Sequence, residues 1–112
     1  MTPAKRDRDM VQGTLDMLIL KALSLEPMHG WGITQRIDQI TKSVLRVNPG
    51  ALYPALERLQ DRGWITAAWD ITDAGRKAKY YRLTATGRRK FGEEEETWRR
   101  MVAAVDAVLR TT

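Results

Sequence analysis

The sequence predicts a mainly α-helical chain with one small antiparallel β-hairpin. Three observations lead there. Apolar residues recur at helical spacing in four separate stretches. Between the third and the fourth the period drops to two, as in a strand. A polar, basic segment with one glycine, TDAGRKAK, then separates that strand from a second short one, YYRL. The 112 residues fit one domain with a modest core, so a long apolar helix left exposed would need a partner.

The N-terminus, MTPAKRDRDM, mixes charges and has no apolar stretch. It reads as a flexible arm over residues 1–10, not as a secretory signal. VQGTLDMLILKALSL then places Leu15, Leu18, Ile19, Ala22 and Leu23 on one helical face. Gln12 or Thr14 is the expected start. Glu26-Pro27 ends the helix, because the residue before proline avoids helical backbone. MHGWG supplies a turn, and ITQRIDQIT a second helix with Ile33, Ile37 and Ile40 inward and Gln35, Arg36 and Asp38 outward.

NPGALYPALERLQDRG gives the third helix, with Leu52, Leu56 and Leu59 in one stripe. Pro54 lies inside it. A proline is harmless where its missing N–H would have no partner, which holds in the first turn. The helix is therefore expected to begin near Gly50, with Asn48 as cap and Pro49 as entry. Gly63 stops it. Tyr53, Pro54, Glu57 and Arg58 remain outside. Gly50 and Ala51 add little bulk, so the helix end should present free N–H groups suited to a phosphate.

In WITAAWDI, Ile65, Ala67, Trp69 and Ile71 alternate, as the buried row of a strand does. The hairpin tip is expected to carry Arg76, Lys77 and Lys79. Tyr80 and Tyr81 point to opposite faces, with one of them in the core. Thr84 caps a long helix over residues 84–110, in which Phe91, Trp98, Val102, Val105 and Leu109 have the spacing of an interhelical seam. Such a helix is about 40 Å long, more than a small domain covers, and a second copy of the chain is the expected partner. Gly92 weakens it by up to about 1 kcal/mol relative to alanine. Glu93 to Glu96 form either a solvated face or the acidic first turn of a helix restarted after a kink.

Charge narrows the function. The net charge is +5 and the isoelectric point about 9.9. Residues 72–92 hold seven basic residues against one acid, which is +6 and leaves −1 elsewhere. Such a patch is a footprint for phosphate-rich partners, although a solvated loop would look alike. No cysteine is present, which excludes disulfides, thiolate zinc and a cysteine nucleophile, and fits the cytoplasm. No apolar run is long enough to span a membrane. His29, the lone histidine, is read as structural, since a metal needs three or four ligands. With no Ser–His–Asp set and no phosphate-cradling loop, no enzyme, metal or cofactor is expected. Trp31, Trp64 and Trp69 are expected to pack.

Three helices followed by a two-stranded wing describe a winged helix-turn-helix. Residues 11–83 would be the DNA-binding domain and residues 84–112 the dimerisation helix. In that fold the third helix enters the major groove by its N-terminal end, and the second crosses the backbone. The candidate contacts to double-stranded DNA are Gly50, Ala51, Tyr53, Pro54 and Arg58 on the third helix, Gln35 and Arg36 on the second, and Arg76, Lys77 and Lys79 on the wing. A protein-interaction module and a non-specific architectural DNA binder are the alternatives.

The segments LDMLILKAL, MHGWGITQRI, PGALYPALERLQDRGWI and RKAKYYRLTATG resemble the PadR-like transcriptional regulators, from about Gln12 to the chain end. The resemblance implies a homodimeric repressor of genes that respond to small toxic molecules, or of nearby transporter genes. The single last helix looks like the shorter subfamily, where it dimerises against the partner's first and last helices. Tyr53 and Pro54 match the family's tyrosine and proline near the groove. Ala51 departs from a common serine or threonine and lacks the hydroxyl that could bond a phosphate or the helix's own N–H groups. Trp98 falls where multidrug-binding relatives line an intersubunit pocket with tryptophan, which implies a small flat aromatic, hydrophobic or cationic ligand.

Overall fold

The computed structural model describes residues 3–112, and side chains from residue 13 onward. In chain order it contains α1 (Pro3–Leu25), β1 (Met28–His29), α2 (Gly30–Ile40), α3 (Pro49–Asp61), β2 (Ile65–Ile71), β3 (Lys77–Leu83) and α4 (Ala85–Arg110). The mainly helical class and the winged arrangement hold. Residues 3–10, expected as an arm, instead continue α1, which starts at neither Gln12 nor Thr14. Met1 and Thr2 lie outside the described residues.

The core forms where the helical stripes converge. Leu15, Ile19, Leu20 and Leu23 of α1 meet Ile33 and Ile37 of α2, and Leu52, Leu56 and Leu59 of α3. Ile65 and Tyr81 close it from the sheet. Removing a large apolar side chain here, as in Leu56→Ala, costs about 2–5 kcal/mol. Arg58 of α3 donates to Asp16 of α1 at 2.9 Å, and Arg62 approaches the same carboxylate at 3.9 Å. These two links fix α3 against α1.

The caps are largely those the residues dictate. Asn48 Oδ1 accepts from the Ala51 N–H at 2.9 Å, and Pro49 is the first helical residue. The far end closes as a Schellman motif: the Gly63 N–H donates to the Gln60 carbonyl and the Trp64 N–H to the Leu59 carbonyl. Pro54 differs from expectation. With Pro49 first, it falls in the second turn, where its amide would have reached the Gly50 carbonyl. Gly50 is exposed, so the carbonyl left without its helical donor is not shut away from solvent and the proline is accommodated.

The sheet has three strands in the order β1-β3-β2, all antiparallel. Strand β1 is only two residues long, with Met28 opposite Tyr81 and His29 opposite Tyr80. His29 then caps α2, its Nδ1 accepting the Gly32 N–H at 3.0 Å, and its ring meets Tyr80 edge-on. The lone histidine thus has a capping role at the start of α2.

Helix α4 leaves the core through a tight joint. Thr84 Oγ1 donates to the Gly63 carbonyl at 2.7 Å and accepts the Gly87 N–H at 2.9 Å. A Cβ on Gly87 would lie 1.9 Å from the Trp64 carbonyl oxygen, so only glycine fits. The helix passes Gly92 without a break. Glu93 pairs with Arg89 and Lys90, Glu95 with Arg99 and Glu96 with Arg100. The glutamates are thus a solvated face, not a new first turn, and each exposed pair adds only about 0.3–0.5 kcal/mol.

Candidate nucleic-acid interface

One groove, about 870 Å³ in volume, opens between the wing and the N-terminal ends of α2 and α3. Its walls hold Trp31 and Gln35 of α2, Tyr53 of α3, and Trp69, Arg76, Lys77, Lys79 and Tyr80 of the wing. The backbone explains the grouping. Tyr53 lies five residues past the Asn48 cap on the outer face of α3, and its hydroxyl reaches over Gly30, at the start of α2. A Cβ on Gly30 would sit 2.9 Å from that hydroxyl. The glycine is what lets the tyrosine lie across the two helices.

Register places the cations. In β2 and β3, Trp69 is opposite Lys79 and Ile71 opposite Lys77. Opposed residues share a face, so both lysines rise on the side of Trp69 and Ile71. Arg76 stands in the turn, where its N–H donates to Thr72 Oγ1 at 3.1 Å. Lys77 and Lys79 are strand residues, not tip residues as expected. Among the described residues, Arg76, Lys77 and Lys79 pair with no carboxylate. Beneath the groove, burial first and the neighbouring Tyr53 second raise the Tyr81 hydroxyl above the ordinary tyrosine value.

Five expected contacts therefore converge: Gln35, Tyr53, Arg76, Lys77 and Lys79. Others do not. Arg58 is committed to Asp16 and faces α1. Arg36 lines a separate depression with Glu26, Gln39 and Tyr80, a depression that Gln35 also borders. Ala51 is half-buried against the core and its amide is spent on the Asn48 cap, so the α3 end is less bare than its small residues imply. Gly50 and Pro54 stay exposed at that end. Two groove residues were expected to pack instead: Trp31 and Trp69 are each 65% exposed. The signal was available for Trp69, which sits near the hairpin tip, where a strand's inward row outruns a small core. Trp64 does pack, half-buried beneath the Arg62 guanidinium.

Helix α4 carries a second exposed surface. Trp98, Met101, Val102, Val105, Val108 and Leu109 form an apolar stripe, from 41% exposure at Trp98 to 76% at Leu109. Phe91, expected in that stripe, instead packs on this chain's own core, with Lys21 over its ring.

A family model described as the transcriptional regulator PadR-like family matches residues 19–93. The chain belongs to the PadR-like family of transcriptional regulators. An uncharacterised protein of Lysinibacillus sphaericus is 30% identical over 88% of this chain and 90% of its own length. A transcriptional regulator of Mycobacterium tuberculosis is 31% identical over 78% of each chain. The crystal structure of a PadR-like transcriptional regulator from Bacillus cereus superposes with a TM-score of 0.81 at 26% identity, covering 93% of this chain and 99% of that one. All the groove residues named here lie within the matched PadR-like segment. The α4 stripe from Trp98 onward lies beyond it. Among the described residues, no helix is long and apolar enough to cross a membrane.

Proposed function

We propose that this PadR-like regulator is a cytoplasmic, homodimeric repressor that reads a pseudo-palindromic operator in duplex DNA. The observation that carries this reading is the groove. It joins the outer N-terminal face of α3 to three uncommitted cations on the wing. Tyr53 and Gln35 meet bases and backbone near the major groove, while Arg76, Lys77 and Lys79 hold phosphates. The α4 stripe supports the dimer, since exposed apolar area of this extent on a monomer marks an interaction surface. Two-fold pairing sets two reading heads whole helical turns apart.

Selection from random duplexes at near-physiological salt tests it. The expected product is an inverted repeat with fixed half-site spacing. Binding without any enriched sequence, lost as salt rises, would leave a non-specific architectural binder. No duplex binding at any salt would leave a protein-interaction module.

Trp98 favours a ligand-responsive form of the same reading. It is part-exposed on the α4 stripe, where two copies would bring two indoles together. A flat aromatic or cationic ligand between them shifts the DNA equilibrium by its differential affinity for two head spacings. Titration with a flat cationic dye should quench tryptophan fluorescence in the wild type and not in Trp98→Ala. Equal quenching removes Trp98 as the platform.

A further inference from the structure

The groove's cations and Tyr53 have a use in the reading above, but its apolar part does not. The inward row of β2 runs Ile65, Ala67, Trp69, Ile71. Ile65 is buried and Ala67 half-buried, then Trp69 and Ile71 emerge at 65% and 58% exposure. The row leaves the core yet keeps its apolar character. Lys79 and Lys77 stand directly across from these two residues, and Arg76 follows at the turn. The wing therefore ends in an apolar ridge bordered on one side by three cations.

That combination fits one surface well. A protein partner with an apolar patch would have to meet these cations with carboxylates arranged to match. A duplex supplies both requirements at once, with phosphates along each groove edge and apolar sugar walls and stacked base faces between them. We infer that the Trp69–Ile71 ridge enters the minor groove beside the site met by α3 and wedges a base step open, with Lys77 and Lys79 on the adjoining phosphates. Apolar wedges of this kind kink duplexes toward the major groove. Pyrimidine–purine steps, TA and CA/TG, open most easily. The wing thus adds a sequence preference that needs no hydrogen bond, and it bends the operator. This rests on the DNA-binding reading above.

The test uses the full-length protein with Trp69→Ala, Trp69→Phe and Lys77→Ala. Trp69 is exposed, so thermal melting should be the same in all four proteins. Bending is measured by energy transfer between the ends of a duplex carrying the selected site, and step preference by repeating the selection with each variant. Wild type and Trp69→Phe should bend the duplex and enrich a flexible step at fixed distance from the half-site. Trp69→Ala should keep the half-site, lose the bend and the step, and bind about tenfold more weakly, the size of one aromatic–base contact. Lys77→Ala should weaken binding and keep the step. If Trp69→Ala bends and selects like wild type on an enriched repeat, the wedge is overturned while the regulator reading stands. If wild type binds no duplex, both fall.

Discussion

At the residue scale, position on an element decides what a side chain can do. Tyr53 lies over Gly30 on the outer side of α3, and Lys77 lies on the wing. Tyr53→Ala should narrow the gap between specific and random DNA. Lys77→Ala should weaken all sequences alike and lower the slope of log affinity against log salt by about one. Binding isotherms at several salt concentrations check both, and identical behaviour would refute the division of roles. A second expectation concerns pH. Tyr81 is buried and its hydroxyl is raised above the ordinary value, so the folded chain holds that proton more tightly than the unfolded chain. Stability from this source is complete below about pH 10, the unfolded tyrosine value, and falls as pH rises beyond it. Alkaline melting curves should show the loss, and Tyr81→Phe should flatten it. Residue pairing was the least legible level. Arg58 looked outward on a helical wheel, and only the fold brings Asp16, 42 positions away, within its reach. Tyr53 could be picked out by its place near a cap, but the Gly30 beneath it could not.

At the element scale, legibility followed the strength of local signals. The four helices and the hairpin were readable because stripes, caps and the change of period are encoded within a few residues. Strand β1 was not, since two residues carry no periodicity and it exists only by pairing with β3. The start of α1 was also missed, because charged residues without an apolar stripe give no helical pattern. Trp31 gave no such sign, whereas the exposure of Trp69 could have been read from its place near the hairpin tip, since alternation tells which face a residue takes and not how far the core extends. The joint at Gly87 makes a sharp forecast. A Cβ there meets a backbone oxygen that cannot rotate away. Gly87→Ala should cost about 3 kcal/mol, the upper end of overpacking. A control at Gly92, with nothing near its Cβ, should instead stabilise α4 by up to about 1 kcal/mol as Gly92→Ala. Thermal melts of the two variants should move in opposite directions.

At the scale of the whole molecule, the fold separates two surfaces. The groove is polar, cationic and aromatic, while the α4 stripe is apolar and bordered by ion pairs. In the proposed dimer the stripe is buried, so stability is tied to protein concentration. The melting temperature should rise with concentration for the wild type. Val105→Asp would bury a charge in the seam and should abolish that rise, giving a monomer by sedimentation. An unchanged dimer would place the interface elsewhere. DNA affinity of that variant should fall to what one half-site provides.

The contact between Gly87 and the Trp64 carbonyl has a mechanical meaning. It is a clamp that makes the near end of α4 and the DNA-binding head move as one. Helix α4 runs 26 residues, about 39 Å, with the clamp near one end. If the partner grips the far end, a tilt of about five degrees swings the near end through about 3 Å, close to the rise of one base pair. A joint too tight to admit one methyl group converts a slight change in helix crossing into a change of register on DNA.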